Sequence, residues 1–299
     1  MIKKALLSFF IIFITYTIIV TYVVNPHKFV SEHQWQDNQI KAQEYLYSNT
    51  DSIQNIIVGS SLADRLVVGY LPDIYNLSMG GLGSFDGLQT ITKKGVYPKR
   101  VFIEMNKLDR KASTDFTTSL NNPVMTFLRK YFISIRDGKQ PMGFIAIPYG
   151  EKITAYGLYL AQTVVHTIAG EIITREKKGL EEVDMVAKIL PRLLEEESHI
   201  PNTADLEKDA ENLKHYVDIL EKNHVTVVFF EMPIQHQLCG LSKPEAIRKQ
   251  FYKTFPRDKY QYIDMPNCND YTTTDGLHLD KASAEKYTFL FKDAMNKLK

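Results

Sequence analysis

The sequence predicts an α/β protein: a three-layer α/β/α arrangement around a five-stranded parallel sheet, with a helical insertion and one N-terminal transmembrane helix. Three observations predict it. Short β-branched runs alternate with helical stretches, as in strands joined by crossover helices. The runs are apolar along their length, which suits a sheet covered on both faces. An uncharged apolar segment precedes them all. The whole chain is 299 residues with 36 Lys+Arg against 35 Asp+Glu, a net charge of +1 that gives no electrostatic footprint for nucleic acid. At 44% hydrophobic and 24% charged residues it is neither disordered, collagen-like nor multi-span. Two cysteines exclude a disulfide-rich scaffold and a four-cysteine zinc site.

The first element is the segment Ala5–Val24, ALLSFFIIFITYTIIVTYVV. About twenty uncharged residues at 1.5 Å each just span a hydrocarbon core of about 30 Å. Lys3 and Lys4 precede it, and the positive-inside tendency leaves the N-terminus in the cytoplasm and the rest outside. A cleavable signal peptide is the rival reading, but its apolar core is usually about 7 to 15 residues and ends in small residues, whereas this run ends TYVVNPHK. Residues 1–27 are therefore expected to anchor the chain, 28–52 to form a polar stalk whose apolar residues are spaced loosely enough for a helix leading away from the membrane, and 53–299 to form the α/β domain.

Within that domain, IQNIIVG (53–59), DIYNLS (73–78), RVFIEMN (100–106), VTVVFFEMP (225–233) and YQYIDM (260–265) read as strands. Helical spacing falls near 85–94, 204–223, 243–255 and 281–297. Between the third and fourth strands, residues 107–201 make a connection of roughly a hundred residues, far longer than a normal crossover. Helix-like spacing at 154–174 and 178–197 marks it as a mostly helical insertion, serving as a lid, a partner surface or added packing.

Ligands of open α/β sheets bind where strands deliver their carboxyl ends, so the residues just past each strand are the ones that matter. After the first comes Val-Gly-Ser-Ser-Leu, where Gly59 permits a sharp turn and Ser60 and Ser61 stand near the next helix start, as nucleophile or as cap. After the second, the glycines of Asn-Leu-Ser-Met-Gly-Gly let backbone N–H groups face developing negative charge. The third ends Glu104-Met105-Asn106-Lys107, leaving an amide to aim at the same point, with Glu104 near it. Last, Asp275 and His278 lie three apart just before the C-terminal helix, which lets a carboxylate orient an imidazole acting as general base. Otherwise that segment is an exposed loop with a helix cap from Asp280.

The order serine, glycine, asparagine, then aspartate and histidine, each at a strand end, resembles the SGNH hydrolases, or GDSL esterase/lipase family, from about Ile53 to the C-terminus. Gly59-Ser60-Ser61-Leu62 is similar to the family's G-D-S-L block and assigns the nucleophile to Ser61. The second-block glycine falls on Gly81, with Gly80 as alternative. The third block, G-x-N-D, keeps only Asn106, while D-x-x-H is matched in full by Asp275 and His278. The resemblance implies a catalytic set of Ser61, Asp275 and His278 and an oxyanion hole of Ser61, Gly81 and Asn106. Ser60, Gly80 and His236 are placed to line the substrate site. With the anchor, the chain resembles the accessory O-acyltransferases that modify envelope polysaccharides beside membrane-bound O-acyltransferases.

Three functions follow as expectations: a serine-dependent O-acyltransferase taking an acyl donor and an envelope polysaccharide, a carbohydrate esterase of the same fold, or a non-catalytic glycan-binding or assembly protein. No cofactor is implied, and no histidine pair has metal-ligand spacing. Cys239 and Cys268 both follow late strands, and an oxidising compartment would allow them to pair. Tyr149, Tyr156 and Tyr159 are candidates for sugar stacking or core packing.

Overall fold

The computed structural model describes residues 2–22, 34–48, 52–71, 73–139 and 185–298. The expected helix at 154–174 and the three candidate stacking tyrosines lie outside the described residues. The chain divides into two compact units: Met1–Tyr47 with Leu120–Val183, and Ser48–Ser119 with Asp184–Lys299. The stretch expected to be one insertion, 107–201, is thus shared between the two.

The second unit is built on a parallel sheet of five strands: β1 (Asn55–Val58), β2 (Ile74–Asn76), β3 (Arg100–Glu104), β4 (Thr226–Phe230) and β5 (Gln261–Ile263), in the order β2-β1-β3-β4-β5. All pairings are parallel, with Ile57 opposite Phe102 and Ile103 opposite Phe229. The central strands carry no polar face. Ile56, Ile57 and Val58 of β1 and Val101, Phe102 and Ile103 of β3 are at most 1% exposed, so these runs fit only a sheet covered twice.

Successive strand residues point to opposite faces, and β4 shows both. Phe230 packs on Phe291, which Phe102 also meets, at ring centroids of 5.1 and 5.2 Å. Its neighbour Phe229 packs on Phe251 and Phe255 at 5.4 and 4.7 Å. Phe291 belongs to the C-terminal helix Lys281–Lys297, and Phe251 to the helix Ser242–Thr254. Helices therefore lie on both sides of the sheet. The helix Ser84–Lys94 connects β2 to β3, and Thr203–Lys222 leads into β4. The strands are shorter than the apolar runs suggest, because the chain leaves the ladder where the strand-end loops begin. Leu77 and Met79 N–H still donate to Ile57 and Gly59 carbonyls beyond β2.

In the first unit, the helix Ile2–Tyr22 is long and apolar enough to cross a membrane. The segment expected to be a stalk contains a second helix, Gln34–Tyr47, whose Ile40, Ala42 and Tyr45 are buried. Gln43 fixes it to a downstream turn: its Nε2 donates to Asp137 Oδ2 at 2.5 Å and its Oε1 accepts from Asp137 N–H at 3.0 Å. Arg129, from the helix Pro123–Tyr131, completes the cluster at 2.9 Å from Asp137. A polar sequence here hides an apolar face and a buried amide, not a bare spacer.

Candidate active site

The turn after β1 is held from below by Glu104, the last residue of β3. Its carboxylate accepts from Ser60 N–H at 2.6 Å, from Ser60 Oγ at 2.9 Å and from Ala63 N–H at 3.3 Å. Glu104 is 3% exposed. Burial pushes its carboxyl above the usual range, opposed by those hydrogen bonds and by the Lys107 charge. A Cβ at Gly59 would fall 2.5 Å from Glu104 Oε2, so only glycine lets the carboxylate approach this turn.

These contacts separate the two serines. Ser60 is 1% exposed and its hydroxyl points inward to Glu104, so the expectation that it lines the substrate site is corrected: its chemistry is consumed in holding the turn. Ser61 is half-buried and faces the opposite partner, His278, whose Nε2 lies 2.8 Å from Ser61 Oγ.

His278 arrives on a small hairpin before the C-terminal helix. Thr273 bridges Leu279 in antiparallel fashion, and Thr274 N–H donates to His278 O at 2.8 Å. Asp275 sits at the tip. Its Oδ1 accepts from the N–H groups of Leu277 at 3.0 Å and His278 at 2.8 Å, and its Oδ2 lies 2.7 Å from His278 Nδ1. Burial alone would raise the Asp275 carboxyl; the two backbone bonds and the imidazole outweigh it and hold the group below the ordinary carboxylate range. An ionised Asp275 can only accept, so Nδ1 carries the proton and Nε2 presents its lone pair to the Ser61 hydroxyl. Asp280 caps the following helix through Ser283 N–H at 2.8 Å, as its position predicts.

Three supports hold this hairpin, and only the last of them is legible in sequence. Gly276 has φ +91°, and a Cβ there would lie 2.7 Å from Leu193 Cδ1, so the helix Met185–Ser198 packs directly on the tip. Gln235 N–H donates to Gly276 O at 3.0 Å while its Oε1 accepts from Thr273 Oγ1 at 3.0 Å. Cys239 and Cys268 form a disulfide, Cα–Cα 6.7 Å, that ties the loop after β4 to the segment entering the hairpin. An even pair of cysteines after late strands was the one available signal.

The expected oxyanion donors differ in state. Met79 N–H donates to Gly59 O at 3.0 Å, which lays the loop after β2 beside the serine turn. Beyond it, Gly80 is buried and Gly81 is exposed with φ +70°. Among the described residues the N–H groups of Ser61 and Gly81 donate to nothing. Asn106 is pinned: its Nδ2 donates to Met232 O and its Oδ1 accepts from Met232 N–H, both at 2.8 Å. One amide hydrogen is spent on the β4 loop, and only the second is left to donate. His236 is exposed at the start of the short helix His236–Cys239, with its ring nitrogen 3.4 Å from Gln235 Nε2.

No group of metal-ligating side chains occurs among the described residues. The geometry amounts to a hydroxyl, an imidazole and a carboxylate in series, with unspent N–H donors on the neighbouring turns. Such a series can deprotonate an alcohol and stabilise the oxyanion that its attack creates. No family model matches the chain, and no curated protein matches it.

Proposed function

We propose that this chain is a membrane-anchored serine O-acyltransferase of SGNH-hydrolase type, acting outside the cytoplasmic membrane on a cell-envelope polysaccharide, with acetyl as the acyl group. The observation that carries the reading is the unbroken Ser61–His278–Asp275 series, with hydrogen bonds of 2.8 and 2.7 Å. The parallel α/β sheet with this series at its strand ends supports the family resemblance. The apolar helix Ile2–Tyr22, with Lys3 and Lys4 in its first turn, supports the anchor and its orientation.

In this reading Ser61 Oγ attacks the acyl carbonyl of a donor while its proton passes to His278 Nε2. The imidazolium is stabilised by Asp275. The N–H groups of Ser61 and Gly81, with the remaining Asn106 amide hydrogen, receive the oxyanion. Collapse expels the donor's alcohol or thiol, which takes the proton from His278, and leaves acyl-Ser61. A polysaccharide hydroxyl then attacks, its proton going to His278; the second collapse forms the sugar ester and returns the proton to Ser61 Oγ. A membrane-bound O-acyltransferase is the partner that would supply the donor.

Water in place of the sugar makes the same machinery an esterase. The test offers the full chain an activated acetyl ester with and without an oligosaccharide acceptor and follows both products by mass spectrometry. Acetylated oligosaccharide that disappears in Ser61→Ala is the expected result. Release of free acetate alone, across acceptors, would replace transferase by esterase. A Ser61→Ala protein that supports the cellular function unchanged would replace both by a non-catalytic role.

A further inference from the structure

In the first unit, the helix Ile2–Tyr22 is bare around most of its girth: Leu7, Ile11, Ile14 and Ile18 are each more than half exposed. One stripe is covered. Phe13, Tyr16, Thr17 and Val20 share a helix face, and the segment 132–139 packs along it. Phe132 meets Phe13 with ring centroids 5.8 Å apart, and Thr17 Oγ1 donates to Ser134 Oγ at 3.3 Å. The Tyr16 hydroxyl donates to Lys139 O at 2.5 Å, while Lys139 Nζ donates to Val20 O at 2.8 Å. That last bond serves one of the final four carbonyls, which a helix cannot satisfy by itself.

The covered stripe lies in the C-terminal half of a 21-residue helix, which is about 30 Å long at 1.5 Å per residue. Whatever packs on that half of a bilayer-spanning helix stands in the same leaflet. The segment 132–139 and its flanks turn their polar groups toward protein. Asp137 takes Arg129 at 2.9 Å and the Gln43 amide at 2.5 Å. Arg136 donates to the carbonyls of Arg129 at 2.9 Å and Tyr47 at 3.1 Å. Charge away from water is tolerated only when it is paired in this way.

The helix Pro123–Tyr131 runs directly into Phe132, and its polarity is the reverse of a helix whose outer face meets water. Arg129 is 8% exposed, whereas Val124, Phe127 and Tyr131, at i, i+3 and i+7, are 67%, 60% and 60% exposed. The Phe127 and Tyr131 rings lie 4.9 Å apart and form one apolar patch. Lys130, on the same exposed side, stands 5.6 Å from the Tyr131 ring, where a long apolar stem can carry its charge to headgroups. An outward apolar face, continuous in the chain with a segment seated on the anchor, calls for acyl chains as its neighbour.

We propose that the helix Pro123–Tyr131 is a second membrane contact, its Val124, Phe127 and Tyr131 face lying in the lipid of the leaflet that holds the C-terminal half of Ile2–Tyr22. The placement rests on the anchor reading and is independent of the acyl-transfer chemistry. Trp35 is the only tryptophan, so Trp35→Phe gives a silent background for single reporters. Into that full chain go Phe127→Trp, Tyr131→Trp and, on the exposed surface of the anchor, Phe10→Trp, each checked for an unchanged melting temperature. The three proteins are reconstituted in phosphatidylcholine–phosphatidylglycerol vesicles with plain or brominated acyl chains, bromine quenching tryptophan only on close approach. Emission at 127 and 131 should be blue-shifted from that of tryptophan in water and should fall about twofold or more in brominated vesicles, as an apolar face sunk about 5–10 Å requires. The reporter at 10 should be quenched as well. Quenching at 10 with none at 127 or 131 would overturn the proposal and leave the anchor: water-like emission would put the face in solvent, and blue-shifted emission would put protein over it. Quenching at 127 and 131 with none at 10 would keep the face in lipid and remove the span. No quenching at any of the three in folded protein would remove both.

Discussion

His278 Nε2 stands 2.8 Å from Ser61 Oγ, a hydrogen bond between residues 217 positions apart in the chain. It joins the turn after the first strand to the hairpin before the last helix, so its formation depends on the whole sheet being assembled. Ser61→Ala and His278→Ala should each reduce acyl-ester turnover by about 10⁴-fold or more, and the double variant by little beyond either single one, because the groups act as a unit. Rates of acetyl ester hydrolysis across the three variants check this; additive losses would contradict a shared step.

Asp275→Asn keeps an acceptor for the Leu277 and His278 N–H groups but removes the charge that holds the Nδ1 proton. Turnover should fall on the order of 10³ to 10⁴-fold with the hairpin intact. The same residue sets an acid limit on stability. Its folded carboxyl is held below its ordinary value of about 3.9, so its contribution is complete above that pH and is lost as pH falls through the lower folded value. The melting-temperature gap between wild type and Asp275→Asn should therefore close below about pH 4. A gap that stays constant down to about pH 2 would contradict that linkage.

Glu104→Gln tests the support beneath the Ser60–Ser61 turn. A glutamine keeps one oxygen where Ser60 N–H, Ser60 Oγ and Ala63 N–H all reach Oε2, but it removes the charge and buries an NH2 donor where Oε1 accepts from Ser60 Oγ. Leaving a buried donor unmet costs about 1–3 kcal/mol. Urea unfolding should show that loss, and Ser61 reactivity should fall by at least tenfold as the turn loosens. Unchanged reactivity in a destabilised protein would confine Glu104 to the core.

Replacing Cys239 and Cys268 by serine reopens a loop spanning a sequence separation of 29 residues. Loop-closure entropy predicts roughly 3–4 kcal/mol lost from the stability of the second unit. Denaturant melts with and without reductant measure it: wild type in reductant should match the double serine variant in either condition.

The parts readable from sequence are those whose signal is local. The apolar run at the N-terminus, the β-branched strands and the Asp275–His278 spacing each declare themselves within a few residues. Asp275 can reach the imidazole because one turn carries both. What sequence leaves open depends on distance. Ser60 and Ser61 are told apart in sequence only by the resemblance of their block, which picks Ser61; the physical cause is Glu104, brought in from β3, which turns one inward and frees the other. Asn106 reads as an unencumbered amide until Met232, from the loop after β4, takes both of its ends. Gln235 and Leu193 support the hairpin through contacts that no short motif encodes, and the polar helix Gln34–Tyr47 conceals a buried face that a stalk would lack.

The most direct test of the account is the site of covalent modification. The full chain is treated with a fluorophosphonate, digested and mapped by mass spectrometry, alongside His278→Ala. A single adduct on Ser61 in wild type, absent in the His278 variant while that variant remains folded, is the predicted result. A folded wild type that carries no adduct, or carries it on Ser60 or elsewhere, would contradict the claim that Ser61 is a nucleophile activated by His278.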